Sequence, residues 1–147
     1  MYKKILVAID GSHCGDLGLE EAIGLAHACG AELDIVHVID GGYEEEEVRA
    51  GLVREGHKLL AQAQAKAEAR HVRSQVILVD EIMALGDVGK QVRQAVESSR
   101  AELVVAGTHG RSGIGRLLMG SVAESLVRHC TVPVLLVRAP GNAGAAA

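Results

Sequence analysis

Glycine is concentrated in one stretch of the chain, between positions 107 and 120. Glycines stand there at 107, 110, 113, 115 and 120, interleaved with Arg111 and Arg116. A glycine backbone can approach a ligand closely, and successive backbone N–H groups form an anion-binding concavity. Gly120 and Ser121 directly precede a stretch with helical spacing, and the start of a helix favours a phosphate. The stretch therefore predicts a site for a small polyanion.

The charge of the chain is unevenly distributed. From residue 107 onward there are four arginines and one acid, whereas the whole chain has a net charge of −4. An electropositive loop on an acidic molecule suits a small phosphate-bearing ligand but is too local for a DNA-binding face. The chain has two Tyr and no Phe or Trp, which also argues against an aromatic platform for nucleic acid. We therefore expect no nucleic-acid partner.

The elements that must position this loop are five short segments rich in Val, Ile and Leu. They span residues 4–10, 32–39, 75–80, 102–107 and 132–138. Their nearly continuous apolar character is typical of parallel strands covered on both faces, and the segments between them show helical spacing. We predict an α/β fold, a single doubly wound domain with a five-stranded parallel sheet and helices on both faces. Ligands of such sheets bind at the carboxyl ends of the strands, where Asp10 and Gly107 stand.

Two familiar phosphate motifs are absent from the sequence. No G-x4-G-K-[ST] run occurs, and Asp10-Gly11-Ser12 after the first predicted strand does not match a dinucleotide fingerprint. The histidines and the three cysteines lack the spacing of a zinc site, so we predict no metal site in the protein. The odd number of cysteines fits reduced thiols. No apolar run is long enough for a membrane span or a signal peptide. Together with the reduced thiols, this predicts a cytoplasmic protein.

We expect a domain over residues 1–139 and a flexible tail over 140–147, which is rich in Ala and Gly.

The spacing Gly107-x2-Gly110-x9-Gly120-Ser121 resembles the nucleotide-binding signature of the universal stress protein family, in its ATP-binding branch. The similarity runs along nearly the whole chain, from residues 2–6 through 37–40 to 132–137. It implies a strand order of 3-2-1-4-5 and ATP, ADP or AMP as ligand, with Mg²⁺ held through the phosphates.

The resemblance also implies a role for each site residue. It places Asp10 beside the adenosine, the backbone of Val38 at the adenine edge, and Gly107 against the ribose. The residues that would hold phosphates are Gly110, Gly120, Ser121 and the Val122 amide. His109, Arg111 and Gly113 lie in the same loop and are expected to add contacts.

The implied strand order leaves the last strand at an edge of the sheet. Pro133 fits an edge, because proline cannot donate a ladder hydrogen bond. An apolar edge needs to be covered, and the resemblance implies a homodimer formed through the 132–138 strand.

Three functions follow as alternatives. The first is an ATP-binding regulatory protein of a stress response, whose bound nucleotide alters contacts with a regulatory protein partner. The second is a slow ATPase or phosphotransferase. The third is a dimeric interaction module that needs no nucleotide. Phosphoryl transfer needs a group that orients the nucleophile. Since the sequence identifies no such base, we predict no catalytic residue and no dedicated enzyme.

Overall fold

The structure, a computed structural model, describes residues 1–39, 45–80, 87–109 and 119–140. Strands and helices alternate along these ranges, as predicted. The strands are β1 (Lys4–Ala8), β2 (Glu32–Val38), β3 (Ser74–Val79), β4 (Leu103–Gly107) and β5 (Val134–Val137). The helices are α1 (His13–Cys29), α2 (Glu46–Ala69), α3 (Val88–Ser99) and α4 (Ser121–His129).

The five strands form one parallel sheet in the order β3-β2-β1-β4-β5. This confirms the predicted fold class and strand order, including the edge position of β5. The chain winds outward from β1 through β2 to β3 and then returns to the other side of β1 to add β4 and β5. The carboxyl ends of β1 and β4 therefore flank the point where the winding direction reverses, the usual ligand position in such sheets.

Two aliphatic layers cover the faces of the sheet. Odd-numbered residues of the central strands, such as Ile5 and Leu33, pack with α1 and α2. Even-numbered residues, such as Leu6 and Val36, pack with α3 and α4. Successive side chains of a strand point to opposite faces, so a strand buried on both faces has no polar side. This explains the nearly continuous apolar runs in the sequence.

Four of the five strands are shorter than predicted, β2 and β4 by one residue each, and β3 is shifted by one residue from the predicted 75–80. The first ends at Ala8 rather than at residue 10, because the Asp10 carboxylate accepts the Ser12 N–H at 2.9 Å and begins the turn into α1. Gly11 in that turn has a φ of 81°, a left-handed conformation that favours glycine. The last strand covers Val134–Val137 within the predicted 132–138. Residues 141–147 of the expected tail lie outside the described residues.

Candidate functional site

A cavity of about 620 Å³ lies at the carboxyl edge of the sheet, beside the ends of β1 and β4. We call it the carboxyl-edge cavity. Seven of the ten predicted site residues line it: Asp10, Val38, Gly107, His109, Gly120, Ser121 and Val122. The other three, Gly110, Arg111 and Gly113, lie outside the described residues. The structure thus brings together predicted residues that are more than 100 positions apart in the sequence.

The start of α4 lies at the wall of this cavity and has no side-chain cap among the described residues. Its N-cap is Gly120, in an extended conformation, and makes no side-chain cap hydrogen bond. The Ser12 side chain caps α1 and the Asp87 side chain caps α3, whereas the N-cap of α2, Glu45, also makes no side-chain cap hydrogen bond among the described residues. The first N–H groups of a helix have no acceptor within the helix. Since Ser121 and Val122 line the cavity, these donors and the positive end of the helix dipole lie at its wall.

Hydrogen bonds hold the start of α4 against the sheet. The Gly120 N–H donates to the Thr108 carbonyl at 2.7 Å, directly after β4. The Thr108 N–H in turn donates to the Val137 carbonyl at the end of β5, at 3.0 Å. The two ends of the glycine-rich loop are therefore joined to each other and to the edge strand, which sets the position of α4 relative to β4.

His109 lines the same cavity. Its Nδ1 lies 3.0 Å from the Thr108 hydroxyl. Its Nε2 is buried and has no hydrogen-bond partner among the described residues. Buried polar groups are normally hydrogen-bonded, and an exception needs an explanation such as a bound ligand or water.

The backbone of Val38 faces the crevice beside β1. The N–H groups of Leu33 and Ile39 donate across to β3, to the carbonyls of Arg73 and Val79, both at 2.9 Å. Backbone groups alternate in direction along a strand, so the Val38 N–H and C=O point to the opposite side, toward β1. Because β1 has already ended at this level, both groups lie at the edge of the cavity.

Asp10 has a structural role that sequence reasoning missed. Its Oδ1 accepts the Ser12 N–H at 2.9 Å and the Ser12 hydroxyl at 2.5 Å. The Ser12 Oγ then accepts the Gly15 N–H at 3.0 Å. The carboxylate therefore organises the first turn of α1. Its assignment to the adenosine remains a prediction.

Gly107 also has a packing role. An added Cβ would lie 2.8 Å from both the carbonyl carbon and the carbonyl oxygen of Cys14 in α1. The close packing of α1 on β4 thus requires a residue without a side chain at position 107. The predicted contact with a ribose stays a prediction.

The wall formed by α2 was not predicted. Leu52, Gly56 and Leu59 line the cavity from this helix, together with His37 of β2. The His37 Nδ1 lies 2.8 Å from the Ile9 carbonyl, and an added Cβ at Gly56 would lie 3.1 Å from the His37 ring. No motif marks these residues. The sequence signal that could have indicated this wall is Gly56, a glycine among the apolar positions of α2.

In the part of the chain that the structure describes, no helix is long and apolar enough to cross a bilayer. The same residues contain no group of three or more His, Cys, Asp or Glu side chains arranged to hold a metal ion.

Comparison with known proteins gives consistent results. A sequence model of the universal stress protein family matches residues 1–138. Universal stress protein YxiE of Bacillus subtilis is 31% identical, with 94% of this chain and 100% of that protein covered. A crystal structure of a protein from this family from Burkholderia pseudomallei has a TM-score of 0.78 at 34% identity, covering 94% and 97% of the two chains. A universal stress protein solved in complex with cAMP has a TM-score of 0.70 at 25% identity, covering 93% and 97%.

Proposed function

We propose that this chain, which belongs to the universal stress protein family, binds an adenine nucleotide in the carboxyl-edge cavity and acts as a nucleotide-dependent regulatory protein in a stress response. The observation that carries the proposal is the open start of α4, where Gly120 supplies no side-chain cap and Ser121 and Val122 line the cavity. Uncapped N–H groups and a helix dipole form a binding site for phosphate.

The positions of the lining residues suggest how the nucleotide would lie. The adenine edge would meet the N–H and C=O of Val38, and the phosphates would meet Gly120, Ser121 and the Val122 amide. Asp10 and Gly107 lie beside the adenosine in this arrangement. The cavity volume of about 620 Å³ falls within the usual range for small-molecule sites. The related protein in complex with cAMP supports the choice of an adenine nucleotide.

ATP is the proposed nucleotide, with ADP and AMP as the other members of the series. Gly110, Arg111 and Gly113 would add contacts to its phosphates. Mg²⁺ keeps several waters when it binds to substrate phosphates. An ion brought by ATP would therefore be held by the phosphates and by water, with no dedicated protein site.

A second copy of the chain is the proposed cover for the edge strand β5. Its four residues, Val134–Val137, are apolar and only partly buried, and an unpaired apolar edge favours association. A homodimer through the 132–138 strand would place the carbonyl of Val137, which holds Thr108, close to the interface. Nucleotide binding could then alter the surface offered to a regulatory protein partner in the cytoplasm.

Proline substitution at the start of α4 tests the nucleotide proposal directly. Ser121→Pro removes a first-turn N–H and the hydroxyl, and Ser121→Ala removes the hydroxyl alone. Proline suits this first helical position, and Gly120 before it is already extended, with φ −65° and ψ 162°. Glu46→Pro is a matched control, because it changes the first residue of α2 behind Glu45 at φ −57° and ψ 155°.

ATP affinity would be measured by isothermal titration calorimetry on the four proteins. A hydrogen bond to a charged group contributes about 1.5–3 kcal/mol, so Ser121→Pro should raise the Kd for ATP by about ten- to a hundredfold. Ser121→Ala should weaken binding less, and Glu46→Pro should leave the affinity unchanged. An unchanged Kd in a folded Ser121→Pro protein, or no ATP binding by the original chain, would overturn the proposal.

A further inference from the structure

The hydrogen-bond ladder between β1 and β2 ends at the wall of the carboxyl-edge cavity. Ile9 follows β1 directly, and its N–H still donates to the Val36 carbonyl of β2 at 2.9 Å. In a parallel ladder, a residue that faces its partner strand donates to one residue of that strand and accepts from the residue two positions further on. Since Ile9 donates to the Val36 carbonyl, the regular continuation is a bond from the Val38 N–H to the Ile9 carbonyl.

The side chain of His37 takes this acceptor instead. Its Nδ1 lies 2.8 Å from the Ile9 carbonyl oxygen. A carbonyl oxygen can only accept, so Nδ1 carries the proton of this bond. Among the backbone hydrogen bonds of the described residues, none joins the Val38 N–H to the Ile9 carbonyl. Ile9, His37 and Val38 all line the cavity. The imidazole therefore ends the ladder at the wall of the site and leaves the Val38 N–H without a partner on β1.

Helix α2 holds the imidazole in this orientation. The Cβ position at Gly56 lies 3.1 Å from His37 Cδ2 and 3.2 Å from Ile39 Cδ1. Cδ2 and Nδ1 are the two ring atoms bonded to Cγ, so α2 contacts one edge of the imidazole while the other edge faces the Ile9 carbonyl. A side chain at position 56 would have to displace the ring or Ile39. The glycine thus lets the helix pack directly against the ring and limit its rotation.

We propose that His37 is a positioning residue for the adenine end of the nucleotide site. Its imidazole occupies the Ile9 carbonyl and thereby keeps the Val38 N–H free for an acceptor nitrogen of the base. The inference rests on the proposed function, in which the adenine edge meets the N–H and C=O of Val38. A residue without a donor at position 37 would release the Ile9 carbonyl. The Val38 N–H would then donate to it and extend the ladder by one bond across the site.

Amide hydrogen exchange of the full chain labelled with ¹⁵N tests this role without nucleotide. In the original chain the Val38 N–H should exchange quickly, whereas the Ile39 N–H, which donates to the Val79 carbonyl at 2.9 Å, should be protected. His37→Leu should slow exchange at Val38 by about three- to tenfold, the effect of one added backbone hydrogen bond. His37→Asn keeps a side-chain N–H donor and should leave exchange at Val38 fast.

ATP affinity, measured by isothermal titration calorimetry on the same proteins, tests the consequence for binding. His37→Leu should raise the Kd for ATP by about three- to tenfold, because the base must then compete with the Ile9 carbonyl for the Val38 N–H. His37→Asn should bring the Kd back close to that of the original chain. His57→Leu is the matched control and should change neither the Kd nor the exchange at Val38, since His57 is an exposed residue of α2 that does not line the cavity.

The two measurements separate this inference from the proposed function. No ATP binding by the original chain would overturn the proposed function, while the exchange rates of the nucleotide-free proteins would still decide the role of His37. ATP binding with an unchanged Kd in folded His37→Leu would overturn the inference alone. An equal loss of affinity in His37→Leu and His37→Asn would overturn it too, because the side-chain donor would then not matter. So would a Val38 N–H that is as protected as the Ile39 N–H in the nucleotide-free original chain, a result that needs no variant to fold.

Discussion

Replacing Gly107 by alanine should push α1 away from the sheet. The new Cβ would lie 2.8 Å from the carbonyl carbon and oxygen of Cys14, whereas ordinary contact begins near 3.4 Å. The shortfall is about 0.6 Å. Because the contacted atoms belong to the backbone of a 17-residue helix, no side-chain rotation can relieve it.

Overpacking of this kind costs about 1–3 kcal/mol. A chain of this size loses about 2–4 °C in Tm for each kcal/mol, so a cost near 2 kcal/mol would lower the Tm by about 4–8 °C. Chemical unfolding in urea, followed by far-UV circular dichroism, would measure the free energy directly.

Gly24→Ala in the same helix is the matched control. Nothing lies within 4 Å of its Cβ position, so the gain in helix propensity should stabilise the protein by about 0.5–1 kcal/mol. The reasoning fails if Gly107→Ala is as stable as the original chain. It also fails if both substitutions destabilise the protein equally, because the close approach to Cys14 would then not account for the effect of Gly107→Ala.

Two further predictions concern the face of the sheet covered by α3 and α4. Burial raises the pKa of Asp34, which is 2% exposed, although the Lys4 ammonium opposes the shift. Folded Asp34 therefore holds its proton to higher pH than in the unfolded chain. Its stabilising contribution is therefore present at low pH and lost as pH rises through the folded pKa. Asp34→Asn should gain Tm relative to the original chain between about pH 4 and pH 7 in a thermal scan series, and a constant difference would contradict this. Gly89→Ala would bring a Cβ within 2.5 Å of the Ser125 Cβ, which should cost about 1–3 kcal/mol in urea unfolding. The cost should shrink in a Ser125→Gly background, and full additivity would argue against the contact.

The order of elements was predictable because the central strands β1, β2 and β4 are buried on both faces. Short aliphatic runs separated by helical spacing leave few alternatives to a parallel sheet. The limits of the strands were less predictable, since they depend on side-chain hydrogen bonds. The first strand ends early because Asp10 bonds to Ser12, and an aspartate at a strand end does not by itself reveal its partner.

The candidate site was predictable at the glycine motif and at the strand ends that carry Asp10 and Val38, but not on α2. The spacing from Gly107 to Ser121 indicated the start of α4, whereas His37 and Gly56 meet only when α2 packs over β2. The burial of Asp34 was also missed. A single acid within an apolar strand does not by itself indicate whether its side chain is buried. Its burial depends on α3, which approaches from more than 50 residues away in the sequence.

The hydrogen bond from Gly120 to Thr108 has a consequence for sequence change in the family. It closes the segment between these residues at its base, so the sheet and α4 do not depend on how many residues lie between them. The entropy of closing a loop grows slowly, by about 0.6 kcal/mol for each doubling of its length. Insertions and deletions in this segment should therefore change the folding free energy little, while they alter which ligand the segment can bind.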